Sequence, residues 1–282
     1  MRVAFERLLD EAAARGGAVG AFTCYDLEVA RAVLDAAAAR DRGVILLLAP
    51  KSFAAPGGDL LAAALCAVVD RAPARACVQL DHAEDLDAIE AAFQIGVGAA
   101  LADGSRRSFE DNVAFAEAAV ALARRHGAHV EAELGGIAGD EDVADAVAAG
   151  ALTDVEQARA LVQRAAVDCL AVSIGNVHGI YREPPRLDWD RLAAVGAAVP
   201  VPLSLHGASG LPDADVRRAI AGGVRKVNVN TELRARYLDA TEQALPAVRM
   251  GANVAALHDS QREAVRSAVE ACLHLYDLER QP

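Results

Sequence analysis

The stretch Ala76-Cys77-Val78-Gln79-Leu80-Asp81-His82 decides how the rest of the chain is read. Ala76–Leu80 is a short apolar run, and it ends on two polar residues that carry chemistry. Asp85–Ile95 follows with apolar residues at helical spacing, and Gly98–Ala102 is a second short apolar run. Strand, helix, strand in so few residues is the pattern of two parallel strands joined by a crossover helix. The same alternation extends in both directions. Further strands are expected at Ala18–Thr23, Val44–Ala49, His129–Leu134, Cys169–Ile174, Val201–Leu205 and Val224–Val229. Helical periodicity marks Leu27–Arg40, Ser108–His126, Asp154–Ala165 and Asp213–Ala221. Thr153 followed by Glu156 fits a capping box opening one of these helices.

Strand–helix alternation implies a parallel sheet covered on both faces. Eight such units in 282 residues fit an α/β chain closed into one (β/α)8 TIM barrel, with extra helices at the N- and C-terminal ends. No Pro- or Gly-rich linker divides the chain, so residues 1–282 are expected to form a single domain. The opening segment, Met1 to Gly16, carries Arg2, Glu6, Arg7, Asp10, Glu11 and Arg15. It reads as an amphipathic helix and not as a signal peptide. Apolar residues make up 54 %, yet no continuous apolar run reaches the roughly 18 residues of a membrane helix. A cytoplasmic protein without a membrane partner is the expectation.

A net charge of −12 argues against a nucleic-acid surface. It leaves an anionic substrate open, because backbone amides bind phosphate on an acidic protein. The five cysteines, Cys24, Cys66, Cys77, Cys169 and Cys272, are scattered and form no C-x-x-C pair. They read as buried free thiols.

A barrel places its reactive groups at the C-terminal strand ends. Here those ends read Thr23, Ala49, Asp81-His82, Asp103, Glu133, His178, His206 and Asn228. Three neutral imidazoles on one rim, His82, His178 and His206, make a zinc site with an open fourth position. Such an ion acts as a Lewis acid on a carbonyl and its neighbouring hydroxyl. Asp81 stands beside it, suited to exchange a proton with a second oxygen. His126 and His129 lie at the opposite rim, and His258 and His274 in the C-terminal helices; these four read as structural.

Three loops, two of them glycine-containing, close the rim: His178-Gly179, His206-Gly207-Ala208-Ser209-Gly210 and Asn228-Val229-Asn230-Thr231. Loops after the last barrel strands often bind phosphate through backbone amides and a helix N-terminus. Ser209 and Thr231 add hydroxyls. After the fifth strand, Gly135-Gly136-Ile137-Ala138-Gly139-Asp140-Glu141-Asp142 joins glycines to three acids. By itself this run reads as a solvated acidic loop, with a lid as the alternative.

Six segments in order, Leu80–His82, Ala102–Ser105, Glu131–Gly135, Val177–Gly179, His206–Gly210 and Lys226–Leu233, resemble the class II, zinc-dependent ketose-bisphosphate aldolases, the fructose- and tagatose-bisphosphate aldolase family. The resemblance covers about residues 5–275. It implies a lyase that reversibly cleaves a ketose phosphate to dihydroxyacetone phosphate and an aldehyde through a metal-stabilised enediolate. His82, His178 and His206 would bind Zn2+ or another divalent metal. Asp103 and Glu133 would hold a second or displaced metal position. Asp81 would act on the aldehyde oxygen, and Glu141 would take the carbon-bound proton. Asn228 would contact the ketone end of the substrate. Gly179, Gly207, Ser209, Asn230 and Thr231 would cradle the phosphate, where a monovalent cation, Na+ or K+, also binds. A homodimer or homotetramer is implied.

The chain departs from the family pattern in three places. Thr23 stands where Asn is usual after Ala-Phe, Ala49-Pro50 stands where a Ser or Thr faces the substrate, and Asn230 replaces Asp or Ala. Thr23 and Ala49 remove polar contacts and point to a ketose other than fructose 1,6-bisphosphate, such as a deoxy, sulfonated or inositol-derived sugar, with free dihydroxyacetone as one possible product. A zinc hydrolase and a binding protein on a degenerate barrel are the readings from other classes. Val254, Leu257, Val265, Val269 and Leu273 form an apolar helix face suited to a neighbouring subunit. Arg262 and Arg266 on the same segment read as a solvated face, the alternative being contact with a distal anionic group.

Overall fold

The computed structural model describes residues 1–137, 146–147, 150–181 and 186–278. Glu141, with its neighbours Asp140 and Asp142, lies outside the described residues. The elements run α1 (Phe5–Ala14), β1 (Val19–Thr23), α2 (Leu27–Ala39), β2 (Val44–Leu48), α3 (Pro50–Ala54), α4 (Gly58–Arg71), β3 (Ala76–Ala83), α5 (Leu86–Ile95), β4 (Ala99–Ala102), α6 (Phe109–His126) and β5 (His129–Leu134). They continue with β6 (Ala146–Val147), α7 (Val155–Ala165), β7 (Cys169–Val172), β8 (Ile180–Tyr181), α8 (Trp189–Ala198), β9 (Leu203–Leu205), α9 (Asp213–Ala221), β10 (Val224–Val229), α10 (Thr231–Met250) and α11 (Val254–Leu275).

Eight of these strands close a parallel barrel in the order β1-β10-β9-β7-β5-β4-β3-β2. The two-residue strands β6 and β8 pair in parallel outside it. Six of the described helices start where a short polar side chain satisfies one of their first amides. Asp26 accepts from the Val29 amide at 2.8 Å, Asp85 from Ala88 at 2.7 Å and Asp188 from Arg191 at 2.9 Å. Gly96 and Gly127 end α5 and α6 in the left-handed conformation. The expected capping box is corrected here. Asp154, not Thr153, caps α7, accepting from Gln157 at 2.9 Å. Thr153 is buried and is spent instead on the barrel, where it donates to the Leu134 carbonyl and accepts from the Ser173 amide.

Residues alternate across each strand, and the two parities build two different cores. Leu46, Leu48, Val78, Leu80, Val130, Ala132, Leu170, Val227 and Val229 face outward and pack under the helices. Val19, Ala21, Ile45, Leu47, Cys77, Ala99 and Cys169 face inward. The N-terminal helix closes that inner layer from below: Phe5, Leu8, Leu9 and Ala12 of α1 join the same cluster. Burying three such large side chains contributes roughly 1.5–3 kcal/mol each. The apolar plug fills only the lower half of the barrel. Towards the C-terminal ends the inward positions turn polar, with Gln79, Glu131, Ser204 and Lys226 wholly buried.

At the C-terminal end of the chain, α11 packs against α10 and α2. This corrects the expected subunit-facing helix surface. Val265, Val269 and Leu273 are buried within the chain, and only Val254 of that set is prominently exposed. The amphipathic stripe covers this chain's own barrel. All five cysteines are free and buried, as expected.

Candidate active site

The three histidines converge as the strand ends require. Ring centroids lie 4.9 Å apart for His82 and His206, 5.0 Å for His82 and His178, and 5.9 Å for His178 and His206. His82 pays a conformational cost to point there: its φ is +40°, and the ladder between β3 and β4 slips between Leu80 and Ala83. A non-glycine residue in this region costs of order 1–3 kcal/mol and persists where surrounding structure enforces it. The loops carrying His178 and His206 are drawn together by a glycine. Gly207 has a φ of +61°, and a Cβ there would sit 1.9 Å from the Val177 carbonyl oxygen. Asn176 donates to the His206 carbonyl at 3.0 Å, and the Tyr181 hydroxyl to that of Gly207 at 2.9 Å.

Glu133 completes the cluster. One ligand atom from each of His82, Glu133, His178 and His206 lies within 4.8 Å of every other. Glu133 Oε2 is buried without a hydrogen-bond partner, 3.7 Å from His82 Nδ1 and 3.9 Å from His206 Nδ1. Burial, reinforced by the Asp103 charge, pushes the Glu133 carboxyl well above the usual carboxylate range. Burial lowers the His206 imidazole below its ordinary value, and the Lys226 charge adds to that; this favours the neutral ring that metals bind. An orphaned buried carboxylate oxygen among three convergent imidazoles is a donor set that fits a divalent cation.

Asp103 stands outside that group. Its carboxylate meets His82 Nδ1 at 2.8 Å and accepts from the Ser105 amide at 3.0 Å and hydroxyl at 2.6 Å. Burial opposes its ionisation, but the His82 hydrogen bond and charge and the two Ser105 bonds outweigh it and hold Asp103 well below the usual range. A carboxylate fixed on the far nitrogen orients a histidine towards a metal.

Behind the rim runs a buried polar chain with two charged members, Glu131 and Lys226, that have no role assigned from the sequence. His206 Nε2 lies 3.0 Å from Glu131 Oε1. Glu131 Oε2 accepts from Gln79 and from Lys226, each at 2.8 Å. Lys226 also donates to Asn228 Oδ1 at 2.6 Å, and Asn228 Nδ2 lies 3.3 Å from Asp81 Oδ1. Burial alone would raise Glu131; the Lys226 charge and the His206 bond overcome it and hold the carboxylate below its ordinary range. A signal for both residues was present in the strand period, since Glu131 stands two before Glu133 and Lys226 two before Asn228.

The predicted substrate residues fall together. Gly179, Gly207, Ser209, Asn228, Asn230 and Thr231 line one small cleft with His178. The 20-residue helix α10 opens at Thr231 on the edge of this cleft, and a helix N-terminus favours an anion. A second cavity of about 600 Å³ spreads from His82, Asp103, Glu133 and His178 towards Lys51, Phe53 and Arg106. At the departures, Ala49 is buried at the start of α3, and Thr23 Oγ1 is buried without a hydrogen-bond partner. The Tyr25 hydroxyl donates to Asn230 Oδ1 at 3.1 Å. Arg262 is bound to Glu28 and Asp259, and Arg266 to Glu263 and Glu270, which matches a solvated helix face.

A closed (β/α)8 barrel with a three-histidine, one-carboxylate cluster at its C-terminal rim belongs to the metal-dependent barrel enzymes. The family model of class II fructose-bisphosphate aldolase matches residues 3–280, and the chain belongs to that family of metal-dependent lyases. It is 42 % identical over 242 residues to the D-tagatose-1,6-bisphosphate aldolase subunit GatY of Klebsiella oxytoca, a match covering 84 % of each protein. The crystal structure of the YdjI aldolase from Escherichia coli K12 superposes with a TM-score of 0.87 at 28 % identity, covering 100 % of both chains. Fructose-bisphosphate aldolase from Campylobacter jejuni shares the fold, with a TM-score of 0.82 at 19 % identity over 98 % of this chain and 95 % of that one. Among the described residues, no helix is long and apolar enough to cross a membrane.

Proposed function

We propose that this protein reversibly cleaves a ketose phosphate into dihydroxyacetone phosphate and an aldehyde. The observation that carries the reading is the buried three-histidine and Glu133 cluster next to the Asp81–Asn228 pair, at the edge of a cleft opening on the α10 N-terminus. His82, His178 and His206 would hold a divalent cation, zinc in our reading, with Glu133 and Asp103 available to a displaced position. When bound, the ion supplies a Lewis acid for the ketone carbonyl and the adjacent hydroxyl.

The chain's own residues supply the rest. The cleft residues Gly179, Gly207, Ser209, Asn230 and Thr231 bind the phosphate, and a monovalent cation, Na+ or K+, fits the same acceptors. Asn228 holds the ketone end. In cleavage, Asp81 takes the proton from the hydroxyl that becomes the aldehyde oxygen as the carbon–carbon bond breaks; in condensation it returns that proton. Glu141 is proposed as the group that protonates and deprotonates the carbon acid.

The aldehyde half would occupy the cavity towards Lys51, Phe53 and Arg106. Thr23 and Ala49 remain the reason to expect a ketose re-fitted at this rim. The Klebsiella relative is named for tagatose 1,6-bisphosphate and is named a subunit; both are carried here as proposals. Leu238, Leu245, Met250 and Val254, exposed along α10 and the start of α11, are where a homodimer or homotetramer contact is proposed.

The test is solvent-deuterium exchange into dihydroxyacetone phosphate, with dihydroxyacetone alongside, each with metal and after chelation. Metal-dependent exchange of the phosphate ester alone is expected. Exchange of the free ketone would mean that the cleft serves another group, and exchange of neither would end the aldolase reading. A panel of ketose phosphates, including fructose and tagatose 1,6-bisphosphates, then identifies the aldehyde half.

A further inference from the structure

Lys226 is completely buried inside the barrel, in the polar layer between the apolar plug and the rim. Burying an ammonium group is costly unless it is paired, and a buried ion pair is often no more stable than an apolar pair of the same volume. Stability alone therefore gives little reason for a lysine here. Its partners give a better one. Lys226 meets Glu131 Oε2 at 2.8 Å and Asn228 Oδ1 at 2.6 Å. Each of those groups uses its other end to address the rim.

On one side, Glu131 Oε1 faces His206 Nε2 at 3.0 Å. A carboxylate there accepts a hydrogen bond from Nε2–H, which keeps the imidazole proton on Nε2 and leaves Nδ1, 3.0 Å from His82 Nε2, as the lone-pair nitrogen turned into the cluster. On the other side, an ammonium group only donates, so the atom of Asn228 facing Lys226 must be its carbonyl oxygen. That fixes the amide with Nδ2 towards Asp81, at 3.3 and 3.4 Å from the two carboxylate oxygens. One buried cation thus sets the tautomer of a cluster histidine and the orientation of the amide at the proton-exchanging carboxylate.

We infer that Lys226 is a positioning residue that ties the metal-facing imidazole of His206 and the Asp81–Asn228 pair into one rigid unit, through Glu131 on one side and Asn228 on the other. The inference rests on the aldolase reading for its catalytic half only. The metal-facing half stands on the geometry of His206 and Glu131.

The test compares wild type, Lys226→Met, Glu131→Gln, the double variant of these two, and Asn228→Ala. Affinity for Zn2+ is read by competition with a chromophoric chelator, and kcat and KM in the exchange assay or with the best ketose phosphate. Either single change strands one buried charge and should weaken Zn2+ binding by about 10- to 100-fold. The double variant removes both charges and should restore Zn2+ affinity to within about threefold, while kcat stays as low as in Asn228→Ala with little change in KM. Recovery of kcat together with Zn2+ affinity in the double variant would mean that Lys226 only neutralises Glu131, and would overturn the inference. So would a Lys226→Met protein with unchanged Zn2+ affinity and kcat. Should the single variants fail to fold, the double variant still carries the comparison, and Lys226→Gln, which keeps a donor without the charge, reads the same split. A wild type that binds Zn2+ but shows no exchange sinks the aldolase reading separately, and the chelator series then judges the His206 arm alone.

Discussion

Among the described residues the barrel carries two histidine–carboxylate clusters, one at each end, and they differ in almost every physical respect. At the C-terminal rim, His82, His178, His206 and Glu133 are buried or nearly so, one carboxylate oxygen has no hydrogen bond, and His82 has a left-handed backbone. At the N-terminal rim, His129, Asp168 and Glu6 also bring three potential ligand atoms within 4.8 Å. There, however, Asp168 accepts from the Val130 amide at 2.8 Å and pairs with His129 at 3.2 Å, and Glu6 is exposed. The lower cluster has its needs met by protein partners and by exposure to solvent. The upper one holds charge and lone pairs in a low-dielectric space where unmet demand is expensive. Residue type alone does not make a site; the burial of unsatisfied groups does.

Exchanging histidine for alanine at each end separates the two most sharply. His206→Ala should abolish both metal retention and aldol turnover, whereas His129→Ala should leave metal content unchanged and turnover within about twofold of wild type; metal analysis with steady-state kinetics decides. Equal loss from both would mean that the lower cluster is not the structural one. Next in size is Asp81→Ala, which should fold and keep its metal but lose about 10²–10⁴ in kcat. Normal turnover in that variant would remove Asp81 from the chemistry.

Asp103→Asn sharpens the difference between holding a metal and orienting its ligand. Loss of the carboxylate behind His82 should weaken metal affinity or activity about 10- to 100-fold, not abolish it. Complete loss would make Asp103 a ligand in its own right.

The smallest effect belongs to the lower rim. The Asp168 hydrogen bond, opposed in part by burial, raises the His129 pKa above its ordinary 6.5. A histidine raised on folding contributes stability that is fully present below the unfolded value and is lost as pH rises through the folded one. The melting temperature of wild type over Asp168→Asn should thus differ most below about pH 6.5 and converge at higher pH. Solvent reaches both side chains, so the difference should stay under about 1 kcal/mol. A gap that widens with rising pH would reverse the assignment.

Much of this was legible before folding was considered. The strand–helix alternation gave the barrel, and three histidines at strand ends gave the cluster. The misreadings have a common cause. Thr153 looked like a helix cap because capping is a local pattern, but the C-terminal ends of β5 and β7 offered it two buried partners, Leu134 and Ser173. The Val265–Leu273 stripe looked like a subunit surface because amphipathicity does not say which apolar surface answers it. The strand-end position of Asp103 is one that a metal ligand and a ligand-orienting group share, so the sequence does not separate the two roles. Glu131 and Lys226 had the correct strand parity, yet nothing local told them from ordinary strand residues.

Sequence by itself determined the order and period of the elements, and with them which side chains face inward and which stand at the C-terminal ends. Those properties follow from backbone geometry over a few residues. Only the tertiary structure decided which inward groups meet: His206 with Glu131 across 75 residues, and Asn228 with Asp81 across 147. Closing the barrel seals these pairs from water, and it is that exclusion that turns common polar residues into a charged, oriented and partly unsatisfied centre.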